Sequence, residues 1–494
     1  MRIRDINVLC LLVLFGLSGC LKDKGNYDYQ SIEKVSINDP AQSSRIYIEP
    51  GQTLQLNPVL STASEGLSYL WFVYNNSPQS PYNLPKDTLA NTKDLDYALD
   101  PAIFKMGEDY RLTYKVTDDA TGLSAFYFYD ITVSSKLTNG WVMLEDKAGS
   151  ADLAMVLDNG EVVYNIFTDR HPDYRVADPL SISISARDVT DDVSTPGKKI
   201  YLVAQSDAFE IDPTTFEKRF DFDFLFFQSP PAVAPTMIAW PSTGTGLLIN
   251  EGKLSTNLTG GFPNAKKFGL YLATPNGDYD YDMAPYFASR FAYADTYQCI
   301  MYDQKHQRFY QASYDALTAF PSNASDTDIF DMNNVGLDMV KIDSSNLTNT
   351  YNAIMKDEAQ AYILQFSMVA TEGNPVITKL KQPMNAPELM TSASQTASTI
   401  TPHVFYGAGS ALYRYEISSN SYRTAHTFPA NESVTATQFV RNGYGLNAPK
   451  LLVATWDGTE GKLYHFRLSN AGHVEGVDRT DAGFGKIIDM AYKN

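Results

Sequence analysis

Short alternating runs of apolar and polar residues fill the region from residue 35 to residue 135. The segment "RIYIEPGQTLQLNPVL" predicts two strands joined by a turn at Pro50 and Gly51, and "LSYLWFVYNN" predicts a strand that contains Trp71. About 100 residues of this pattern are typical of an immunoglobulin-like sandwich. We therefore expect an immunoglobulin-like domain at 35–135, with Trp71 in its core.

A hairpin closes this unit. The segment "DYRLTYKVTDDATGLSAFYFYDITVSS" alternates apolar and polar residues on both sides of a turn at residues 118–122. Alternation with a period of two is what a strand with one buried face requires. The apolar positions are Leu112, Tyr114 and Val116 before the turn and Phe126, Phe128 and Ile131 after it.

From Thr138 onwards, apolar strands begin again at intervals of 37 to 59 residues. Several share one order: a small or apolar strand, a polar turn, and an aromatic-rich strand that leads into a second turn. Examples are "VFYGAGSALYRYEISSNSY" and "LLVATWDGTEGKLYHFRLSNAGH". The predicted strand starts are Gly140, Lys199, Thr236, Tyr293, Asn352, Pro402 and Lys450.

Repeats of this length are typical of four-stranded propeller blades, because one blade cannot bury both of its faces and must pack on neighbours. They predict a β-propeller at 138–494 with seven blades; six or eight blades also fit, and a large irregular sandwich is the alternative fold. The final segment "GKIIDMAYKN" is interpreted as an apolar strand that completes a blade and closes the ring. The protein is thus predicted to be all-β, with an immunoglobulin-like β-sandwich followed by a β-propeller.

The first residues, "MRIRDINVLCLLVLFGLSGC", have the pattern of a secretory signal. Arg2 and Arg4 precede an apolar run at residues 8–17. This run is too short to span a bilayer, because a spanning helix takes about 20 apolar residues.

The end of this segment, Leu17-Ser18-Gly19-Cys20, resembles the lipobox of bacterial lipoproteins. The resemblance implies that a signal peptidase recognises Leu17, Ser18 and Gly19, that residues 1–19 are removed, and that Cys20 is lipidated. Two or three acyl chains form a persistent anchor, since each buried methylene contributes about 0.8 kcal/mol. Residues 20–34 are polar and lack periodicity, so we expect a tether between the lipid and the first domain.

The segment "YLWFVYNN" followed by "GEDYRLTYKVTDDATGLSAFYFYDITV" resembles a PKD-type immunoglobulin module, in which an aromatic strand precedes a Tyr-x-Val-x-x-x-Val-x-Asp hairpin. Together with "GCLKDKGNYDY", it is similar to the PKD-like family lipoproteins of Bacteroidota. The match covers residues 17–135, although "WFVYNNSPQS" lacks the Gly-Asp-Gly that usually follows the PKD aromatic strand. The resemblance implies an outer-membrane lipoprotein that faces outside, beside a TonB-dependent transporter and the transporter's surface lipoprotein partner.

The chain carries a net charge of −18. Such a surface repels nucleic acid, because phosphate binding needs clusters of Lys and Arg. With residues 1–19 removed and Cys20 lipidated, Cys299 is the remaining thiol, and we expect it to be buried in the strand "YQCIMYD". Stability must then come from packing rather than from disulfides.

The sequence contains no pattern typical of a catalytic centre. None of its six histidines stands in a His-Glu-x-x-His or another close metal-binding spacing. It has neither a Gly-x-Ser-x-Gly elbow nor a phosphate-binding Gly-x-x-x-x-Gly-Lys motif. We expect His403 and His465 to be hydrogen-bonded structural residues, and we predict no catalytic residue, metal or cofactor.

Aromatic residues in predicted loops are the candidates for ligand binding, because rings at one face of a propeller can stack on sugar rings or grip a protein loop. For each candidate, packing within the blades is the preferred interpretation and ligand contact is the alternative. The candidates are Trp240, Tyr279, Tyr281 and Tyr286.

Three carboxylates alternate in "NGDYDYDMAPY", namely Asp278, Asp280 and Asp282. On a strand they would share one face and offer oxygen ligands to calcium, but the segment lacks the Gly and the Glu of an EF-hand loop. A solvated loop is the preferred interpretation.

We therefore expect a non-enzymatic outer-membrane lipoprotein that binds a glycan or peptide ligand, or a partner protein, in a TonB-dependent uptake system. The first alternative is a structural scaffold at the cell surface. The second is a propeller-based glycan hydrolase or lyase, which would need a buried cluster of carboxylates or histidines with perturbed pKa values.

Overall fold

The structure is a computed structural model, and the parts of the chain that it describes are residues 34–40, 45–49, 51–62, 65–76, 86–134, 137–185, 198–240, 246–257, 268–289, 299–313, 315–322, 328–369, 375–440 and 450–493. The predicted signal, the lipobox at 17–20 with Cys20, and residues 20–33 of the predicted tether lie outside these residues. The chain divides into two compact units between Ser134 and Ser135.

The first unit is a β-sandwich. Its described strands are β1 (Ser36–Asn38), β2 (Arg45–Ile48), β3 (Thr53–Leu56), β4 (Val59–Ser61), β5 (Leu67–Asn75), β6 (Asp87–Ala90), β7 (Leu95–Ala98), β8 (Asp109–Asp118) and β9 (Ser124–Val133). One sheet has the order β2-β9-β8-β5-β6, with β2 parallel to β9 and the other neighbours antiparallel. Two short antiparallel pairs, β1-β4 and β3-β7, complete the unit.

Trp71 lies in the core of the sandwich, as predicted. Its ring is fully buried and stacks on Tyr114 with the ring centroids 4.1 Å apart. Its indole N–H donates a hydrogen bond to the Thr92 carbonyl at 2.9 Å, which satisfies the polar end of a buried ring. Leu54 and Leu56 of β3 are buried in the same cluster.

The β8-β9 hairpin turns where the sequence predicts. The Asp118 carboxylate accepts the amides of Ala120 and Thr121 at 2.8 and 3.2 Å, and Gly122 has a φ of 69°. A positive φ is costly for residues with a Cβ, so Gly122 fits this position.

The strand after this turn presents a different face from the predicted one. Ile131 is buried, whereas Phe126 and Phe128 are 51% and 53% exposed. Phe126 and Phe128 precede Ile131 by an odd number of positions, so in a regular strand they cannot share its face. Of the three apolar positions named after the turn, Ile131 alone lies in the core, where Tyr129 joins it.

The second unit contains the remaining strands of the described residues, β10 to β36. In order they are β10 (Gly140–Lys147), β11 (Ser150–Leu157), β12 (Val162–Val163), β13 (Pro179–Ile184), β14 (Ile200–Ala204), β15 (Asp207–Ile211), β16 (Lys218–Phe220), β17 (Pro235–Ala239), β18 (Leu247–Asn250), β19 (Lys253–Thr256), β20 (Met283–Ser289), β21 (Cys299–Asp303), β22 (Arg308–Ala312), β23 (Leu317–Thr318), β24 (Asp338–Ser344), β25 (Thr350–Lys356), β26 (Ala361–Met368), β27 (Val376–Pro383), β28 (Ser394–Ala397), β29 (His403–Ala408), β30 (Ala411–Glu416), β31 (Ser421–Thr427), β32 (Ser433–Val440), β33 (Lys450–Trp456), β34 (Gly461–Leu468), β35 (Val474–Phe484) and β36 (Lys486–Lys493).

Helices are short in this unit. One α-helix, α1 (Ile166–Arg170), and two 3₁₀ turns, Phe222–Leu225 and Leu389–Thr391, occur among the described residues. No helix in the described ranges has the length and apolarity that crossing a membrane requires.

The strands of the second unit form seven antiparallel sheets in the described residues, which are the blades of a propeller. Blade 1 has the order β36-β10-β11-β12, and blades 2 to 7 follow along the chain as β13-β16, β17-β19, β20-β23, β24-β27, β28-β31 and β32-β35. The innermost strands β36, β13, β17, β20, β24, β28 and β32 each lie beside the next, and β32 lies beside β36. The ring is thus closed, with seven blades as predicted.

The last strand closes the ring by completing the first blade. β36 pairs antiparallel with β10 from Gly140 opposite Lys493 to Asp146 opposite Lys486, with Ile487 and Met490 buried. The Glu145 carboxylate of β10 accepts a hydrogen bond from the Gly485 amide directly before β36. The prediction that "GKIIDMAYKN" closes the ring is confirmed.

The predicted strand starts fall mainly on the second strand of each blade. Lys199 directly precedes β14, Pro402 directly precedes β29, and Lys450 begins β33. Every residue of β14 and of β29 is buried, because a second strand has neighbours on both edges and packs against blades on both faces. Thr236 is the exception and lies on an innermost strand, and Tyr293 is outside the described residues.

Candidate ligand-binding cavity

The innermost strands of the seven blades enclose a cavity of about 550 Å³, here called the central cavity. Its size lies within the range of about 300 to 1,000 Å³ that small-molecule sites usually have. Each innermost strand contributes to the wall, with Ser181, Met237, Tyr286, Lys341, Ser394, Thr435 and Asp489 as one residue from each blade.

A smaller cavity of about 230 Å³, here called the second cavity, continues from the central cavity. Tyr286 and Lys341 line both, and Asp343 and Tyr351 line the second cavity alone. Lys341 and Tyr286 therefore stand where the two cavities meet.

β-Bulges shape the wall of the central cavity. In five innermost strands one extra residue interrupts the pairing with the second strand of the same blade: Leu180, Thr236, Val340, Thr435 and Ile488. In β20 three residues, 284–286, stand opposite Tyr302 alone. Bulges re-aim side chains and are frequent at functional sites, and the bulged positions in blades 1, 2, 3, 4 and 7 line the cavity.

Side chains bridge neighbouring innermost strands. The Asp489 carboxylate accepts the amide of Ile182 at 3.0 Å, and the Asp343 carboxylate accepts the amide of Ala397 at 3.1 Å. The Ser183 hydroxyl donates to the carbonyl of Ile238. The inner edge of a blade leaves backbone groups unpaired, and these contacts satisfy some of them with groups from the adjacent blade.

Lys341 is the one basic side chain among the described residues that line the central cavity. Its ammonium group lies 5.0 Å from the centre of the Tyr286 ring, which is a cation–π contact. Within the described ranges, nothing accepts a hydrogen bond from the Lys341 ammonium group. Its three N–H donors are therefore available to an oxygen-bearing group in the cavity.

Asp489 is the acidic side chain among the described residues that line the central cavity. Burial raises the pKa of Asp489 above its ordinary value, and the hydrogen bond from the Ile182 amide and the charge of Lys341 act in the opposite direction. Both carboxylate oxygens already accept backbone amides, from Ile182 and from Met490. The Asp489 carboxylate thus helps to hold the innermost strands of blades 1 and 2 together.

Two hydroxyl groups in the wall have no hydrogen-bond partner among the described residues. They are the Oγ1 atoms of Thr236 and Thr435, both buried and both on bulges. A buried hydroxyl without a partner costs about 1 to 3 kcal/mol relative to a satisfied one. Both threonines belong to the wall of the central cavity.

Two of the four aromatic candidates lie in the core rather than at a surface. Trp240 is 6% exposed, stacks parallel to Tyr201 with centroids 4.9 Å apart, and meets Phe268 edge-on at 5.6 Å. Tyr281 is fully buried, and its hydroxyl donates to the Leu272 carbonyl at 2.7 Å. Packing occupies both rings, in line with the preferred interpretation and not with ligand contact.

The other two candidates differ from each other. Tyr279 is 51% exposed in the loop before β20, and it does not line either cavity. Tyr286 lies on the irregular segment of β20 and lines both cavities. The structure thus brings Tyr286 to the candidate site and leaves Tyr279 at the surface.

The alternating carboxylates do not lie on a strand. Asp278 accepts the amide of Asp280 at 3.0 Å and the Thr274 hydroxyl at 2.8 Å, and these two hydrogen bonds lower the pKa of Asp278. Asp280 forms an ion pair with Lys305, and its carboxylate lies 3.4 Å from Nε2 of His306. Among the residues described, no group of three His, Cys, Asp or Glu side chains is placed to hold a metal ion. The interpretation as a loop is confirmed.

The histidines and Cys299 also occupy structural positions. His403 shares a hydrogen bond of 2.8 Å with Thr401, and burial, with the nearby charge of Arg414, lowers the pKa of His403 to about 4. His465 shares a hydrogen bond of 2.9 Å with Asp481. Cys299 is fully buried at the start of β21, and burial raises the pKa of its thiol to about 12. All three expectations are confirmed.

Sequence reasoning missed Lys341 and Asp489. Both carry a charge in the middle of an apolar strand, in "DMVKIDS" and in "GKIIDMAYKN". A charged residue is rarely buried unless it is paired, so its presence in an apolar strand was the available signal. It becomes specific only when the strand is known to be the innermost of its blade.

The sequence pattern that defines the PKD-like family matches residues 20–173, which are less than a third of the chain. This region contains the sandwich and runs on into blade 1 of the propeller. No curated protein matches the sequence.

Solved structures with a similar arrangement of strands have little sequence in common with this chain. A quinonprotein alcohol dehydrogenase-like protein from Bacteroides thetaiotaomicron is 12% identical, with a TM-score of 0.44 over 93% of this chain and 99% of that chain. A DUF4784 family protein from Bacteroides caccae is 8% identical, with a TM-score of 0.30 over 93% and 98%. The WD40 domain of SCAP from fission yeast is 9% identical, with a TM-score of 0.35 over 64% and 74%.

Proposed function

We propose that this protein is a non-enzymatic, lipid-anchored binding protein of the outer membrane, which holds a small glycan or peptide ligand in the central cavity of its propeller. The observation that carries the proposal is the convergence of uncommitted polar groups in one cavity lined by all seven blades. These groups are the ammonium of Lys341 and the hydroxyls of Thr236 and Thr435. The protein acts beside a TonB-dependent transporter and its surface lipoprotein partner, and Cys20 carries the lipid.

The hydrogen bonds that the cavity carboxylates accept from neighbouring blades support binding without catalysis. A glycosidase needs two carboxyl groups free to act as acid and as base or nucleophile. Asp489 and Asp343 instead accept amides from the neighbouring blades, so proton transfer by either would disturb the contacts that join the innermost strands.

Replacing Thr435 by valine tests the cavity as the binding site. We expect Thr435→Val to leave the melting temperature of the free protein unchanged or slightly higher, because it removes a buried hydroxyl that has no partner. We expect it to reduce the increase in melting temperature that a bound ligand causes. The measurement is a thermal-shift series with neutral and acidic mono- to trisaccharides and with di- and tripeptides.

Thr318→Val is the matched control, because Thr318 is exposed on the outer strand β23. It should leave every ligand-induced shift as in the wild-type protein. A panel in which no sugar or peptide raises the melting temperature would contradict the proposal and favour a scaffold.

Replacing Cys20 by serine tests the anchor and the partner. We expect Cys20→Ser to move the protein from the membrane fraction to the soluble fraction, because serine cannot carry the thioether-linked lipid and the anchor is lost. The tagged wild-type protein should co-purify with a transporter component from solubilised outer membranes, and Cys20→Ser should not. The measurements are membrane fractionation and identification of the captured proteins.

Cys10→Ser provides the matched control, since Cys10 lies in the segment expected to be removed. It should remain membrane-bound. Membrane retention of Cys20→Ser would contradict lipidation, and capture of no transporter component by the wild-type protein would contradict the partner.

A further inference from the structure

The charged groups of the central cavity discriminate between the ligand classes. This inference rests on the proposed function, because it concerns the ligand of the same cavity. A peptide or amino acid brings an ammonium group and a carboxylate, whereas a sugar brings hydroxyl groups with or without a carboxylate. Each class needs different partners in the wall.

The wall offers one uncommitted cation. Lys341 stands where the central and second cavities meet, with the Tyr286 ring on one side and no hydrogen-bond acceptor in the described part of the chain. A carboxylate is the group that would use this donor most strongly, since a hydrogen bond between two charged groups is about twice as strong as a neutral one.

The wall offers no uncommitted carboxylate among its described residues. Asp489 and Asp343 each accept an amide from the neighbouring blade, and Asp489 accepts a second amide, from Met490. These amides already offset part of the negative charge of both carboxylates, so the ammonium group of a peptide or amino acid gains less from them than a carboxylate gains from Lys341. A ligand with a cationic group is therefore disfavoured.

The remaining polar groups of the wall suit hydroxyl groups. The hydroxyls of Thr236 and Thr435 are neutral, unpartnered and able both to donate and to accept. A polyanion is disfavoured as well, because the described wall contains a single basic side chain and the protein has a net charge of −18.

We infer that the ligand of the central cavity is a hydroxylated monocarboxylate, such as a hexuronate or a sugar chain that ends in one. Its carboxylate binds Lys341 at the junction of the two cavities, and its hydroxyl groups lie against the part of the wall that contains Thr236 and Thr435. Lys341 thus sets the preference for an acidic sugar over a neutral sugar or a peptide.

The test compares D-glucuronate, D-glucose and glycylglycine as probes, by titration calorimetry on the purified full chain. We expect glucuronate to bind at least tenfold more tightly than glucose and glycylglycine. We expect Lys341→Met, which keeps an unbranched apolar stem but removes the charge, to weaken glucuronate at least tenfold without changing the affinity for glucose. Lys379→Met is the matched control, because Lys379 is exposed on the outer strand β27 of the same blade, and it should bind glucuronate as the wild-type protein does.

Three results would overturn the inference. The first is that glucose or glycylglycine equals or exceeds glucuronate in affinity. The second is that Lys341→Met retains wild-type affinity for glucuronate, and the third is that glucuronate does not bind. If glucose or glycylglycine binds best and Thr435→Val weakens that binding, the inference fails while the cavity remains the binding site. If Thr435→Val alters no binding and the wider panel yields no ligand, the proposed function fails too.

Discussion

A chain that ends at residue 485 is expected to lose the cooperative unfolding transition of its propeller. The truncation removes β36, the innermost strand of blade 1, which pairs with β10 and lies beside β13 and β32. Without β36 the ring is open, and the inner edge of β10 is left without a partner.

The size of the effect follows from what β36 buries. Removing a large apolar side chain from a core costs about 2 to 5 kcal/mol, and β36 contributes Ile487 and Met490, at 0% and 6% exposure. The backbone hydrogen bonds to β10 add about 1 kcal/mol each. The sum is comparable with the whole free energy of unfolding of a typical domain, about 5 to 15 kcal/mol.

The thermal transition is measured by calorimetry, and amide hydrogen exchange is measured for each strand of the propeller. We expect the truncated chain to show no sharp transition for the propeller and fast exchange in β10. A synthetic peptide with the sequence of residues 486–494 should restore both. Lys486→Ala in the full chain is the control, because Lys486 is exposed. A truncated chain that melts at the full-length temperature would show that closure is dispensable.

Replacing Glu145 by glutamine is expected to stabilise the protein above pH 7 and to have little effect near pH 4.5. Burial raises the pKa of Glu145 from an ordinary value of 4.5 to about 7. The charges and donors around it are Lys147 on the same strand, with its ammonium 3.8 Å away, the Gly485 amide, and Asp152 directly opposite on β11. Lys147 and Gly485 lower the pKa, and Asp152 raises it.

The direction of the effect follows from proton binding. Between pH 4.5 and pH 7 the folded protein keeps a proton on Glu145 that the unfolded chain releases, so the free energy of unfolding falls as the pH rises. Above pH 7 the loss is constant and on the order of 3 kcal/mol. Glutamine is neutral at every pH and retains an acceptor for the Gly485 amide, so this loss disappears.

The measurement is the difference in melting temperature between Glu145→Gln and the wild-type protein from pH 4.5 to pH 8.5. We expect the difference to grow with pH and to level off above pH 7. Glu358→Gln, at an exposed position, should give no trend. A difference that is the same at pH 5 and pH 8 would show that Glu145 does not hold a proton in the folded protein.

The number of blades was predictable because the second strands are the most apolar parts of the propeller. β14 and β29 are buried at every position, since their edges and faces are all covered by protein. These strands recur once in each blade, so the sequence counts the blades correctly while placing most of their starts one strand too late. Innermost strands carry polar residues that face the cavity, and their pattern is weaker.

The candidate site was less predictable than the fold. Tyr281 and Tyr286 lie five positions apart in the same segment, yet Tyr281 is buried under β19 and Tyr286 reaches the cavity. Tyr281 precedes β20, whereas Tyr286 lies among the three residues of β20 that stand opposite Tyr302 alone. A bulge changes which way a side chain points without changing the alternation of residue types, so the sequence pattern does not reveal it.

The bulges also separate the side chains that line the cavity from the backbone pairing that stabilises the blades. Leu180, Thr236, Thr435 and Ile488 line the cavity but stand outside the pairing of their strands. Exchanging these four side chains alters the inner surface without shifting the register of any blade. Selection, or a designer, can therefore adapt the same ring to a new ligand by small steps, none of which needs a compensating change in the sheets.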